Sequence, residues 1–330
     1  TPPPAQAVPT QLDAVTTAAM RSRRPLDDVP ATVSVITPEN IDRENMQDVR
    51  DLVRNEPGVT VGNNPNRAGF QNFVIRGIGG NRVLLMVDGM RTPDFPDSNQ
   101  GAGTYSREQP DLEDIKRVEI IRGPASALYG SDAIGGVVAY TTKDPGDYMR
   151  QGKDVYASAK AAYSGANQQF SESFTGAVRS GNVEFMGIYT RRDGQEYQPA
   201  QTTVSPNPTT WYNNNFFAKL VIKPTDVDTI RLTGSYNQSA QSTNMLSAIG
   251  TFPSLFTRVY DEWGQDYTNT YRISAQWEHD APIGFVDRLS FLAYFNSVYT
   301  QANTYTLRGA VNGIIPTNAR ASQFYYTHNV

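Results

Sequence analysis

Arginine occurs twice in the same local frame, as Ile75-Arg76-Gly77 and Ile121-Arg122-Gly123. Each stands at the end of a strand-forming run, before a glycine that lets the backbone turn sharply. A guanidinium there is either a solvated loop residue or, if covered, needs a carboxylate, because a buried charge without its partner is expensive. Glu119, on the run leading to Arg122, is the candidate partner nearby. Other chemistries fall away. Gly77, Gly79, Gly80, Gly123, Gly130, Gly135 and Gly136 suggest a phosphate cradle, but no G-x-G-x-x-G and no Gly-Lys-Ser/Thr is present, so they read as tight turns. Asp94, Asp97 and Asn99 suggest calcium, but the acidic twelfth ligand of an EF-hand loop is lacking. There are no cysteines and only His279 and His328, which removes thiolate zinc sites, disulfides and multi-histidine metal centres. A serine hydrolase would have to use one of those two histidines and lacks the G-x-S-x-G elbow. No catalytic residue and no metal site is assigned.

Composition bounds the class. The net charge of −4 and a pI near 5.3 argue against a nucleic-acid partner. Hydrophobic residues make up 38% and mean hydropathy is −0.49, and no apolar run approaches the ~18 residues of a membrane helix. A soluble or surface-attached β-rich binding protein is compatible with this. So is a membrane β-barrel, whose apolar face hides in alternation. The 18 tyrosines and 14 phenylalanines suit aromatic girdles, and equally any β-sandwich.

The elements that must position these residues fall into three regions. Residues 1–30 are a proline-rich leader whose start, TPPPAQAVPT, reads as the end left after export. Within it, Leu12-Asp13-Ala14-Val15-Thr16-Thr17 is β-prone: an ordinary linker, or a strand that adds to a partner's sheet edge. Residues 31–150 read as a compact α/β domain. A strand is expected at Thr32–Ile36, then a helix with Pro38 in its first position, then a helix with Val49, Leu52 and Val53 on its apolar face. Further strands are expected at 83–87, before an Asp88-Gly89 turn, at 118–121 and at 137–141, with a helical turn between Gly123 and Gly130. Residues 151–330 lose helical periodicity. Ile230, Leu232, Gly234 and Tyr236 alternate with Arg231, Thr233, Ser235 and Asn237, and Tyr271, Ile273, Ala275 and Trp277 with Arg272, Ser274, Gln276 and Glu278. Strands are expected near 155–163, 170–180, 183–192, 214–224, 229–238, 268–279, 288–299 and 322–330. Their links alternate short (181–182, 224–228, 280–287) and long (193–213, 239–267, 300–321), the pattern of outer-membrane barrels.

Two passages, NFVIRGIGGNRVLLMVDGMR and DIKRVEIIRGPASALYGSDAIGGVVAYTTKDP, resemble the plug domain of TonB-dependent outer-membrane receptors. The run Gly130 to Tyr140 and the run YTRRDGQE resemble the haem and haemoglobin branch. The resemblance implies a transmembrane β-barrel with an N-terminal α/β plug in its lumen, located in the bacterial outer membrane. Residues 1–30 would be the leader, 31–150 the plug and 151–330 the first barrel strands. Plugged barrels need about 22 strands, and about eight are found here. The end at His328-Asn329-Val330 also lacks the family's terminal aromatic, so the chain reads as the N-terminal portion of a longer receptor. It further implies that Leu12, Asp13, Ala14, Val15, Thr16 and Thr17 form a TonB box, gripped by the TonB complex. Arg76 and Arg122, with Glu119, would belong to a plug–barrel latch whose acidic partners lie on the barrel wall. Residues 90–110 would be the plug apex, where Tyr105 is the strong ligand type for ferric haem, the alternative being a tyrosine packed on its loop. The implied function is active transport of haem or haemoprotein-derived iron. A ferric siderophore or a host iron-protein is the alternative cargo. The expected partners are TonB, outer-membrane lipid and a haemoprotein or haemophore, with no intrinsic cofactor.

Overall fold

The computed structural model describes residues 15–16, 24–25, 32–63, 71–96, 105–107, 109–150, 152–197, 207–252, 257–310 and 318–329. In the leader, β1 (Val15–Thr16) pairs antiparallel with β2 (Arg24–Pro25). Leu12, Asp13, Ala14 and Thr17 lie outside the described residues.

The inner domain follows the expected order. β3 (Thr32–Ile36) leads into α1 (Pro38–Arg43), where the Asn40 side chain accepts the Thr37 N–H at 3.1 Å. α2 (Val49–Val53) starts at Asp48, whose carboxylate accepts the Arg50 and Asp51 amides, and it buries Val49, Leu52 and Val53. A hairpin of β4 (Val59–Asn63) and β5 (Gln71–Ile75) comes next, then β6 (Val83–Val87), β7 (Met90–Arg91), β8 (Asp94–Pro96), β9 (Tyr105–Arg107) and β10 (Ile115–Arg122). α3 (Ser126–Tyr129) ends at Gly130, and β11 (Gly136–Thr142) closes the domain. The main sheet runs β3-β10-β11-β6-β7. Strand periodicity splits its core: Val83, Leu85 and Val87 pack with Leu52, Phe73 and Ile120 on one face, Leu84 and Met86 with Ile121 and Val137 on the other. Gly136 is required by contact as well as conformation. Its φ is +153°, and a Cβ there would lie 2.3 Å from the Ile121 carbonyl oxygen and 2.7 Å from Ile75 Cδ1. The second Ile-Arg-Gly thus ends where a glycine must face it, since Arg122 pairs with Gly136.

The wall is a continuous antiparallel sheet of β12 (Val155–Ser164), β13 (Gln169–Ser180), β14 (Val183–Gln195), β15 (Thr209–Ile222), β16 (Asp228–Asn244), β18 (Thr257–His279), β19 (Leu289–Ala310) and β20 (Asn318–Asn329), with the short β17 (Gly250–Phe252) on β18. Its burial is inverted relative to a water-soluble sheet. Ile273 and Phe291 are 64% and 62% exposed, while Arg272 and Ser274, on the opposite face, are 5% and 8% exposed. A face that turns isoleucine and phenylalanine outward and arginine inward suits lipid outside and a polar lumen inside. Phe174, Tyr189, Phe216, Tyr236 and Tyr271 stand in register across five strands, with Tyr189–Phe216 and Tyr236–Tyr271 ring centroids 4.7 and 4.8 Å apart. Just beyond this row the outward residues turn polar: Tyr189 donates to Asn214 at 3.2 Å, Arg191 to Asn214 at 3.0 Å and Asn214 to Gln238 at 3.2 Å. At the other end, Trp277 and His279 both bond Asp228, at 3.1 and 2.8 Å. Between these limits lies an apolar band about 20 Å long by strand rise. Its two ends are an aromatic row and a tryptophan, as at membrane interfaces.

All eight expected wall strands are present, but six run three or more residues further at one end than the sequence suggests, among them β14, which continues to Gln195, and β20, which begins at Asn318. β15 begins at Thr209, β16 continues to Asn244, β18 begins at Thr257 and β19 runs to Ala310. Much of the expected long links 193–213, 239–267 and 300–321 is therefore strand. Above the lipid band neither face has to be apolar, so apolar alternation stops although pairing continues. Cross-strand bonds such as Asn213–Asn237 (3.0 Å) and Thr268–Thr300 (3.3 Å) hold polar chain in the sheet.

Candidate functional site at the contact of inner domain and wall

The inner domain meets the wall through carboxylates presented on turns. Asp111 caps a 3-10 turn at Leu112–Asp114 by accepting the Glu113 amide at 2.8 Å. Leu112 is buried in the domain's core, so the flanking acids point outward. Each reaches a different strand. Asp111 pairs with Arg192 of β14, Glu113 with Lys160 of β12 at 2.7 Å, and Asp114 accepts from Asn215 of β15 at 2.8 Å.

A second cluster follows β11. Asp88, in the left-handed turn before Gly89 (φ +49°), accepts the Thr142 amide at 2.8 Å and its hydroxyl at 2.5 Å. Lys219 of β15, 3% exposed, donates to the Thr142 hydroxyl at 2.5 Å and to Asp144 at 3.0 Å, and stands 3.9 Å from Asp88. Arg231 of β16 joins Asp144 at 3.4 Å and Glu278 at 2.5 Å, and Glu278 also holds Arg288 at 2.8 Å. Nearer the outer rim, Asn296 of β19 donates to the Arg91 carbonyl at 2.8 Å and accepts from Arg272 at 3.1 Å.

Such contacts can hold and then release. A buried ion pair contributes little net stability when made and costs several kcal/mol when one side is lost. Burial pushes the Asp144 carboxyl up, but Lys219 and Arg231 outweigh it, and the group stays below the ordinary carboxylate range. Asp114 is the opposite case. Burial dominates, Asn215, Lys143 and Arg272 oppose it, nearby Glu113 adds to it, and the carboxyl is pushed up to about 7. The docked turn thus holds a proton that a solvated turn sheds near 3.8. Its contribution is complete below that value and is lost as pH rises through about 7. Amide exchange across residues 111–115 should therefore quicken between pH 5 and pH 7, after correction for intrinsic rates, and Asp114→Asn should flatten the change. A wild-type profile as flat as the variant's would remove the assignment.

The sequence-derived candidates lie elsewhere in the domain. The two Ile-Arg-Gly motifs adjoin: Arg76, in the left-handed region (φ +50°), places its Nη1 3.7 Å from where a Cβ on Gly123 would sit. Arg122 does reach an acid, but the acid is Glu56, at 2.9 Å, with Ser34 and the Pro57 carbonyl completing the set. Glu119 does not partner Arg76 or Arg122. It pairs with Arg117 at 2.9 Å, because residues two apart on a strand share a face and residues three apart do not. Tyr105 opens β9, opposite Pro96 in a hairpin whose β8 sits against β19 and β20. Acids that meet the wall, among them Asp42, Asp48, Asp88, Asp111, Glu113, Asp114 and Asp144, were missed as contact residues. Their signal was available in the inward alternation of Lys160, Arg192, Lys219 and Arg231, four cations on strands whose inner faces need partners.

Residues 25–137 match the family model described as the TonB-dependent Receptor Plug Domain. Hemoglobin and hemoglobin-haptoglobin-binding protein B of Haemophilus influenzae is 34% identical over 180 residues, 52% of this chain and 17% of that protein. Hemoglobin-binding protein A of the same species is 28% identical over 294 residues, 82% of this chain and 29% of that protein. Among solved structures, the FrpB iron transporter from Neisseria meningitidis aligns with a TM-score of 0.68 at 18% identity, over 90% of this chain and 48% of that one. The chain thus spans less than a third of these curated relatives and about half of the solved one.

Proposed function

We propose that this chain, whose residues 25–137 match the TonB-dependent receptor plug and whose fold follows that of an outer-membrane iron transporter, is part of a TonB-dependent receptor that imports iron as haem or from a haemoprotein. The observation that supports this reading is the run of relatives named for haemoglobin binding, one of them aligned across plug and wall alike. In this reading cargo docks above the plug at the outer face, and TonB pulls on Leu12, Asp13, Ala14, Val15, Thr16 and Thr17. Val15 and Thr16 already have strand conformation against Arg24–Pro25, which suits addition to a partner's sheet edge. The plug contacts must then yield. Arg76, Arg122 and Glu119 would act within the plug, Arg122 through Glu56 and Glu119 through Arg117. The carboxylates facing Lys160, Arg192 and Lys219 would hold the plug to the wall.

Tyr105 is the proposed iron ligand at the apex, since a phenolate holds ferric haem. Ferric haem titrated into the purified full-length receptor should give a high-spin spectrum. Tyr105→Phe, which keeps the ring and removes the oxygen, should shift the Soret band and weaken binding by about tenfold or more, with folding unchanged. An unchanged spectrum would move the ligand to another residue. A receptor that binds neither haem nor haemoglobin, yet takes up a ferric siderophore or iron from transferrin, would replace the cargo. One relative is named for transferrin binding, Transferrin-binding protein A of Haemophilus influenzae, 32% identical over 192 residues.

A further inference from the structure

We propose that Tyr197 is a positioning residue that couples the outer loops to the plug strand next to the TonB-binding segment. That cargo supplies the input rests on the function proposed above. Tyr197 follows the outer end of β14, at the foot of the link to β15. Its hydroxyl donates to Asp48 Oδ2 at 2.8 Å, and the Arg50 guanidinium lies 3.8 Å from its ring centroid. A side chain of the wall thereby holds the start of plug helix α2 by a charge-assisted hydrogen bond and a cation–π contact.

The loop foot is not isolated. Glu196 accepts the Thr209 amide at 2.9 Å, closing the base of the β14–β15 link. Asn207, on the same link, exchanges two bonds with Ser247 after β16, both at 2.9 Å. Displacement of either link is therefore delivered to Tyr197. Asp48 is well placed to pass it on. Its Oδ1 accepts the Arg50 and Asp51 amides at 2.8 and 3.1 Å, while its Oδ2 serves Tyr197 and the Arg50 side chain. Burial pushes this carboxyl up, yet Arg50 and Tyr197 bring it below the ordinary range, so it stays an anion.

Beyond the helix the same short segment ends in Glu56. Glu56 accepts from Ser34 of β3 at 2.5 Å and from Arg122 of β10 at 2.9 Å, and Arg122 also donates to the Pro57 carbonyl at 3.0 Å. β3 is the edge strand of the plug sheet and the first plug strand after the leader. Tyr197 and Ser34 are thus joined through one five-residue helix with a polar clamp at each end. Releasing the outer clamp removes one restraint on the segment that orients Glu56, and the edge strand then has less to hold it.

The test uses the full-length receptor in lipid nanodiscs and amide exchange without cargo. Tyr197→Phe removes only the hydroxyl. It should speed exchange about tenfold in α2 and, as a mere loop staple would not, also in residues 33–36 of β3. Glu56→Gln should speed β3 alone, and the double variant should add little to β3 beyond the larger single effect, because both act on one restraint. Exchange that rises in α2 with β3 unchanged, or single effects that add fully, would overturn the coupling. Haemoglobin added to wild type should reproduce the Tyr197→Phe pattern. If haemoglobin binds and leaves α2 and β3 unchanged, cargo does not act through this strut. If it does not bind, the cargo reading falls while the unliganded results still carry the coupling.

Discussion

Lys219→Met should free the end of the plug domain from the wall, speeding amide exchange across residues 140–148 at least a hundredfold. Lys219 is 3% exposed and holds Asp144 at 3.0 Å and the Thr142 hydroxyl at 2.5 Å. Methionine has a similar reach and no charge, so the variant keeps the packing and leaves Asp144 and Asp88 against the wall with one cation fewer. Breaking one side of a buried pair costs about 3–5 kcal/mol, which is more than a hundredfold in an opening equilibrium. Arg231→Met should cost less, since Arg231 is more exposed and divides its charge between Asp144 and Glu278. In cells, the Lys219 variant should admit large antibiotics that the intact plug excludes. Wild-type exchange and wild-type resistance together would reduce this lysine to a space-filling residue.

Val15→Pro should lower iron uptake to the level of a strain without TonB, with cargo affinity changed by less than about twofold. Val15 lies in β1, opposite Pro25. Proline removes the N–H that strand addition needs and fixes φ, so the segment can no longer complete a partner's ladder. The site precedes residues 25–137, the stretch that matches the plug domain, so the outer face should be untouched. Parallel loss of binding and uptake would show that the leader supports folding. Full uptake would place the TonB contact elsewhere in the leader.

The legible part of this protein was the part written in short-range rules. Pro38 at a helix start, Asp88-Gly89 at a turn and the five apolar residues of Val83–Val87 act over a few residues, and each appears where the sequence places it. The eight wall strands were legible for the same reason within the lipid band, where one face must be apolar. Their upper ends were not, because outside lipid a polar strand and a polar loop have the same composition.

By itself the sequence determined the inner α/β domain, the inside-out alternation of the wall and the pairing of Arg76 and Arg122 with glycine turns, since these follow from local propensity and from which solvent each face meets. Only the tertiary structure decided who meets whom. Arg122 chose Glu56 over Glu119 because strand phase put Glu119 on the other face, and Asp114 reached Asn215 across about a hundred residues of chain. Ion pairs carry no sequence period. They form where two elements folded on their own rules bring opposite charges within a few ångströms, away from water, and for the pairs between plug and wall that distance exists only after the domain has docked.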